Sequence, residues 1–131
     1  MIENDLHTAE EANRRLKDIV RLTSDIVWEA DRDFLITAIS GTVLKHTGFL
    51  PNDIVGLVAT EFWNLPDPDT IKSLKPFRNI RSVLTTSEGG QRWFLLSGLP
   101  VFDKAGNFQC VRGLAKEISD QVRMEQRLYQ N

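Results

Sequence analysis

The sequence predicts an α+β fold: a five-stranded antiparallel sheet with short helices on one face, flanked by an N-terminal and a C-terminal helix. Two long apolar runs, residues 93–102 and 108–115, flank the turn residues 103–107 and indicate a hairpin. A second strand pair is predicted at residues 26–31 and 34–40, around a tight turn. The stretch between the two strand groups is interrupted by Gly and Pro, which favours several short helices.

The composition describes one ordinary globular domain. The chain has 131 residues, of which 41% are apolar and 26% are charged, and its formal net charge is −2. Because this charge is small, we expect no binding of nucleic acid, and no apolar run approaches the roughly 20 residues that span a bilayer. The single cysteine, Cys110, cannot form an internal disulfide, which fits a reducing compartment. We therefore expect a cytoplasmic domain without membrane insertion, cut from a larger protein.

Residues 1–22 form the predicted N-terminal helix. The segment is rich in Glu, Arg, Ala and Leu, and its apolar residues recur at alternating steps of four and three. Two interpretations fit this seam: an intermolecular coiled coil that makes a homodimer, or an amphipathic helix that packs on its own domain. The predicted dimerisation positions are Leu6, Ala9, Asn13, Leu16 and Val20, where a polar Asn13 would fix the register.

Residues 23–118 form the predicted core domain. On the first strand pair, we expect Trp28, Ala30, Thr37 and Ile39 to face inward. A strand at residues 76–86 leads into the later hairpin. None of the intervening helices is long enough to be stable alone, so they must pack on the sheet. These helices are predicted at residues 42–48, 51–54, 57–63 and 68–74.

The later hairpin is predicted to lie at the centre of the sheet and to be covered on both faces, because its apolar runs are nearly continuous. Pro100 cannot donate a ladder hydrogen bond, so we expect a bulge or a local break there. Residues 119–131 continue as the C-terminal helix, with Ser119 as its N-cap. This helix is predicted to leave the domain as a linker.

Three stretches carry a family resemblance. They are DIVWEADRDFLITAIS, LKHTGFLPNDIVG and RWFLLSGLPVFDKAGNFQCVRGLAKEISDQ. Their order over most of the chain resembles a PAS domain of a bacterial signal-transduction protein. In that family an Asp-Ile-Thr signature opens the exit helix, and here it reads Glu117-Ile118-Ser119. Both replacements keep the chemistry, a carboxylate and a hydroxyl.

The resemblance implies a sheet whose one face is partly covered by the short helices, with a small molecule or cofactor between the sheet and the helices. It also implies sensing, dimerisation or signal relay for an output domain in the same chain. The expected output is the histidine kinase of a two-component system, then a diguanylate cyclase or phosphodiesterase. The fragment itself is not expected to be an enzyme, since it has no GxSxG, phosphate-binding Gly loop or HExxH. The alternative is a ligand-free dimerisation or interaction module.

Nine residues are candidates for lining the pocket between sheet and helices. Arg112 has two interpretations: it grips an anionic ligand, or it pairs with a protein carboxylate or lies on the outward face. Ser97 and Thr37 are polar groups that could orient a ligand. The candidates are Trp28, Thr37, Ile39, Phe62, Ile71, Leu74, Ser97, Leu99 and Arg112.

The cofactor is unknown from the sequence, and two PAS cofactors are disfavoured. Haem-binding relatives place a ligand on the helix before the third strand, and the corresponding residues 68–74 contain no His. Flavin photosensors need a cysteine in the region that corresponds to residues 40–49, which has none. Cys110 is predicted to be a small buried hydrophobe, and no metal site is expected from one Cys with His7 and His46.

The predicted relay begins where the last strand passes into the C-terminal helix. Packing or occupancy of the pocket would shift the hairpin and thereby the register of that helix. The relay residues are Glu117, Ile118, Ser119, Met124 and Leu128.

Overall fold

The computed structural model describes residues 25–130 of the chain. The predicted N-terminal helix, residues 1–22, lies outside the described residues, and so does residue 131. The five predicted dimerisation positions and His7 therefore have no structural account here; those positions are Leu6, Ala9, Asn13, Leu16 and Val20.

Five antiparallel strands form a single sheet in the described part of the chain. They are β1 (Ile26–Ala30), β2 (Ile36–Ile39), β3 (Phe77–Thr85), β4 (Gln91–Phe102) and β5 (Phe108–Glu117). Their order across the sheet is β2-β1-β5-β4-β3. The predicted fold class is confirmed, and the last strand in the sequence occupies the centre of the sheet.

Within residues 25–130, four short helices and one longer helix accompany the sheet. Gly48 ends the first of them in a left-handed conformation with φ 79°, as predicted for a residue without a Cβ. Asp67 accepts a hydrogen bond from the N–H of Asp69 at 3.0 Å and so holds the start of the fourth. The helices are α1 (Val43–Thr47), α2 (Pro51–Ile54), α3 (Ala59–Phe62), α4 (Asp69–Lys72) and α5 (Ser119–Gln130).

The hydrophobic core lies between the inner face of the sheet and α1–α4. Trp28, Phe94 and Leu96 on the sheet are at most 1% exposed, and Trp63 and Ile71 from the helical side are equally buried. A large shared apolar surface therefore holds these short helices in place, although each is too short to form alone.

Irregularities in two strand pairs decide which way several side chains point. The register of β1 and β2 shifts between Glu29 and Ala30, so Ile36 and Ile39 face inward while Thr37 between them is exposed. The inward orientation predicted for Thr37 is therefore wrong, because strict alternation fails at a bulge. In the later hairpin Pro100 pairs with Val111, and the break lies one step further along, between Val101 and Phe102.

The outer face of the sheet is only partly covered. Leu99 on β4 is 58% exposed and Leu114 on β5 is 41% exposed. The prediction that both faces of the hairpin are covered is therefore wrong at these positions. Val122 of α5 is buried and Glu125 forms an ion pair with Arg81 on β3, so α5 packs against the sheet before it continues.

Candidate functional site

An open cleft of about 750 Å³ lies between α2, α3 and the edge strand β3. We call it the edge cleft. Its wall is mostly apolar, with two carboxylates, one amide and one hydroxyl group. It is lined by Phe49, Asp53, Ile54, Leu57, Glu61, Phe62, Asn64, Val83, Leu84 and Thr85.

Local sequence features shape the edge cleft. Pro51 opens α2 at the first helical position, and the Asp53 carboxylate accepts a hydrogen bond from the N–H of Leu50 at 2.9 Å. Asn64 follows α3 with φ 48°, a conformation that Asn tolerates better than most residues. Its side-chain amide donates to the carbonyl of Val83 at 3.2 Å. The Asp53 contact holds the start of α2, and the Asn64 contact joins the end of α3 to β3.

Aromatic side chains fill the interior between sheet and helices. The rings of Trp28 and Trp63 lie 5.9 Å apart, and the same distance separates Trp63 from Phe94. Within the described residues, the indole N–H groups of Trp28 and Trp63 and the hydroxyl of Ser82 have no hydrogen-bond partner. Burial of unpaired donors costs stability, so close packing must offset that cost here.

The structure separates the nine predicted pocket residues into two groups. Five lie on the helix-covered side: Trp28 and Ile71 are buried, whereas Ile39, Phe62 and Leu74 are half-buried. Of these five, only Phe62 lines the edge cleft. The other four residues do not lie on the helix-covered side, because they belong to the outer face of the sheet or to the bulge. They are Thr37, Ser97, Leu99 and Arg112.

Ser97 and Leu99 belong to the outer face because they alternate with inward Gly98. The Phe77 ring lies over Gly98 on the inner side, where a Cβ would meet it at 2.6 Å. The hydroxyl of Ser97 accepts a hydrogen bond from the N–H of Asn79 at 3.1 Å. The pocket role predicted for Ser97 and Leu99 is therefore wrong, since their strand presents them to the opposite side.

Arg112 also points outward from the central strand. Its side chain is 66% exposed, and its Nε lies 3.7 Å from Oε2 of Glu29 on β1. Arg112 therefore lies outside the space between the sheet and the helices, in line with the interpretation that it pairs with a protein carboxylate on the outward face. Cys110 on the same face is buried as predicted; burial, followed by the nearby Glu29 carboxylate, raises the pKa of its thiol.

A charged cluster joins the helices, the sheet and the start of α5. Nδ1 of His46 on α1 lies 2.7 Å from Oε1 of Glu117, and Arg92 on β4 donates to Oε2 of Glu117 at 3.1 Å. We call these three residues the Glu117 node. The side chains of His46 and Glu117 are only 11% and 18% exposed. Burial disfavours the carboxylate, but hydrogen bonds, with that of His46 the strongest, outweigh it and lower the pKa of Glu117.

The residues after Glu117 anchor α5. Ile118 is buried, and its N–H donates to the carbonyl of Trp93 at 2.8 Å. The hydroxyl of Ser119 accepts from the N–H of Trp93 at 2.9 Å, so it ties the helix start to β4 and does not cap its own helix. Met124 and Leu128 are 65% and 78% exposed. The predicted relay residues thus form a buried anchor followed by an exposed stripe.

His46 is the functional candidate that sequence reasoning missed. His46 is half-buried on α1, and no residue close to it in the sequence indicates its partner. Its contact residue Glu117 is 71 positions away and meets it only after the sheet has formed. One sequence feature does point to such a partner. The signature Glu117-Ile118-Ser119 begins with a carboxylate, and a carboxylate that becomes buried there needs a hydrogen-bond donor.

A scan against protein-family models finds no match, and neither does a search of curated proteins. Solved structures do match. The PAS domain of an HTR-like protein from Haloarcula marismortui is 13% identical with a TM-score of 0.65, over 88% of this chain and 99% of that one. A sensory box histidine kinase/response regulator from Burkholderia thailandensis is 16% identical with a TM-score of 0.62, over 88% of this chain and 92% of that one.

The chain has the fold of a PAS domain. An RNA-binding light-oxygen-voltage receptor also matches, with 17% identity and a TM-score of 0.69 over 86% of this chain. The chain spans only 35% of that receptor's length. At these identities the likeness concerns the PAS fold alone.

Relative to the PAS sheet, the edge cleft lies beside β3 and the Glu117 node lies where β5 passes into α5. Within residues 25–130, no helix combines the length and apolar character that crossing a membrane requires. The same residues contain no group of three or more His, Cys, Asp or Glu placed to hold a metal ion.

Proposed function

We propose that this chain is a sensory and signal-relay PAS domain of a larger bacterial signalling protein. It binds a small ligand, mediates dimerisation, or does both, and thereby regulates an output domain. The observation that carries this proposal is the Glu117 node. One carboxylate, two residues before α5, is bonded to both His46 on α1 and Arg92 on β4.

The node gives the helical layer a direct mechanical link to α5. The helices α1–α3 form one side of the domain, and the edge cleft lies beside α2 and α3. A displacement of α1 moves His46, and the 2.7 Å bond to Glu117 passes that displacement to the end of β5. Ile118 and Ser119 are both hydrogen-bonded to Trp93 on β4. The start of α5 must therefore move together with β4 or break those hydrogen bonds.

A histidine kinase is the first output domain that we propose, and a diguanylate cyclase or phosphodiesterase is the second. The support for the first is the likeness of this fold to a solved sensory box histidine kinase/response regulator. In either case α5 would be the connecting segment, because its Met124 and Leu128 are exposed and available to a partner helix.

The relay is tested with His46→Ala and, as a control on the same helix, Lys45→Ala, which removes an exposed side chain. Hydrogen exchange followed by mass spectrometry reports protection along the whole chain. We expect His46→Ala to speed exchange at the first turn of α5 by about tenfold, a loss of roughly 1.4 kcal/mol. Lys45→Ala should leave α5 unchanged. Faster exchange confined to α1 in the His46 variant would exclude the node as a relay.

A ligand-free interaction module is the second candidate. The observation that favours it is the filled interior, where Trp28, Trp63 and Phe94 occupy the space above the central strands. Under this alternative the edge cleft stays empty and α5 responds only to partner binding.

Native mass spectrometry separates the two candidates and also reports subunit number. Bound mass that is lost on denaturation supports sensing, whereas an unliganded protein supports the interaction module. We further propose that the protein is a homodimer through residues 1–22, on the strength of their heptad seam alone. Polar replacements of Leu6 and Leu16 together should then give a monomer, and a dimer that persists in that variant would rule out this interface.

A further inference from the structure

We propose that the edge cleft binds a small organic cation, an ammonium group carried on an apolar or aromatic body. This inference rests on the proposed sensory function, and it states which chemical class of ligand the sensory domain binds. It concerns a site at the free edge of the sheet, apart from the interior that Trp28 and Trp63 fill.

The charge of the cleft wall is the first observation. Asp53 and Glu61 both line the cleft, and no Lys, Arg or His of the described residues lines it with them. Among residues 25–130, neither carboxylate forms an ion pair. Asp53 uses Oδ2 to accept from the N–H of Leu50, so Oδ1 remains open to a second donor. Two uncompensated negative charges beside an apolar wall attract a cation and repel an anion.

The apolar part of the wall is the second observation. Ile54 and Leu84 line the cleft and are at most 4% exposed, and the Phe49 and Phe62 side chains that line it with them are half-buried. The face of an aromatic ring attracts an ammonium group, and it also packs against apolar surface. A bare metal ion gains nothing from such a wall, and the described residues hold no cluster of three metal-binding side chains.

The amide of Asn64 gives the site a directional group. Its nitrogen donates to the carbonyl of Val83 at 3.2 Å, which fixes the orientation of the amide plane. The amide oxygen is therefore left as an acceptor that can receive one N–H of an ammonium group. Carboxylates, an amide acceptor and aromatic rings together match a protonated amine better than a neutral or anionic ligand.

Three probes of one shape test the charge preference on the full chain: phenethylammonium, phenethyl alcohol and phenylacetate. Binding is followed by NMR titration of the backbone amides and of the Asn64 side-chain amide. We expect phenethylammonium to bind about tenfold more tightly than phenethyl alcohol, and phenylacetate not to bind. The affected amides should be those of the edge cleft.

Two variants test the carboxylates. Asp53→Asn combined with Glu61→Gln should weaken phenethylammonium binding by about tenfold and leave phenethyl alcohol binding unchanged. Asn at position 53 keeps an oxygen for the N–H of Leu50, and Glu61→Gln alone removes a charge without touching any hydrogen bond of the described structure. The charge-matched control, Asp33→Asn with Asp69→Asn, changes carboxylates outside the cleft and should bind the probe as the wild type does.

Equal affinity for the ammonium and the alcohol would overturn the proposal, and so would full ammonium affinity in a folded Asp53→Asn, Glu61→Gln protein. No binding of any probe would overturn it as well. None of these results bears on the relay, because the hydrogen-exchange comparison of His46→Ala with Lys45→Ala uses no ligand.

Discussion

At the scale of the residue, Gly113 on the central strand β5 makes room for a side chain of the neighbouring strand β1. The indole of Trp28 lies over Gly113, where a Cβ would overlap the ring. We expect Gly113→Ala to lower the free energy of unfolding by about 1–3 kcal/mol, because the buried indole has no room to move aside. Urea denaturation measures this loss. Gly41→Ala is the control, since a Cβ there meets nothing within 4 Å, and an equal loss in both variants would refute the overlap.

Glu117 makes a second residue-scale prediction, on pH. Because its pKa in the folded state lies below the usual 4.5, the ionised carboxylate stabilises the fold above that value. This stabilisation is lost as the pH falls through the folded-state pKa. Glu117→Gln should therefore cost about 1–2 kcal/mol of unfolding free energy at neutral pH and progressively less below about pH 4.5.

Denaturation of wild type and Glu117→Gln across this pH range measures the difference. Glu88→Gln, an exposed turn residue, serves as its control and should show no such pH dependence. A difference between wild type and Glu117→Gln that stays constant down to about pH 3 would mean that the ionised form of Glu117 does not carry the stabilisation.

At the scale of the element, α5 is fastened to the sheet at two further points beyond its first residue. Val122 is buried, and the carboxylate of Glu125 receives two hydrogen bonds from Arg81 at 2.9 and 3.0 Å. The pair raises the pKa of the guanidinium and lowers that of the carboxyl group, through their hydrogen bonds first and their charges next. Both side chains are exposed, so the pair orients the helix more than it stabilises the fold.

Arg81→Ala should therefore speed hydrogen exchange in the later turns of α5 while leaving the midpoint of global unfolding nearly unchanged. Arg78→Ala on the same strand removes an exposed arginine that has no ion pair in the described structure. The exchanged pair, Arg81→Glu with Glu125→Arg, should restore protection. If it does not, the ion pair is not what holds the helix.

At the scale of the whole molecule, Trp63 is the side chain that joins the helical layer to the sheet. It is fully buried and its ring lies near those of Trp28, Phe62 and Phe94. Trp63→Ala should lower the free energy of unfolding by about 3–5 kcal/mol, because the short helices cannot close a space of that size. Trp93→Ala on the outer face is the comparison and should cost less. A loss below about 1 kcal/mol for Trp63→Ala would show that the interior is loosely packed.

The fold of this molecule follows from local patterns that the sequence displays. Alternating or continuous apolar runs define the strands, and residues such as Gly48 and Pro51 mark helix ends through their own backbone preferences. These signals act within a few residues, so they are readable without knowledge of the tertiary structure.

The site was much less predictable, for two physical reasons. A single bulge between β1 and β2 reverses the face of Thr37, and strict alternation cannot reveal it. The bond between His46 and Glu117 joins residues far apart in the chain, so neither residue alone indicates it. The sequence leaves two interpretations of Arg112, because its outward position and its pairing with Glu29 depend on a neighbouring strand far away in the chain.

The position of β5 in the sheet also determines when the sheet can form during synthesis. β5 pairs with both β1 and β4, and its partner Ile26 precedes Ala115 by roughly ninety residues. A nascent chain on the ribosome therefore holds two unconnected strand pairs, β1 with β2 and β3 with β4, until the last strand emerges. Long-range pairing of this kind folds slowly. Until then, the edges of β1 and β4 have no partner strand and are open to pairing with other chains.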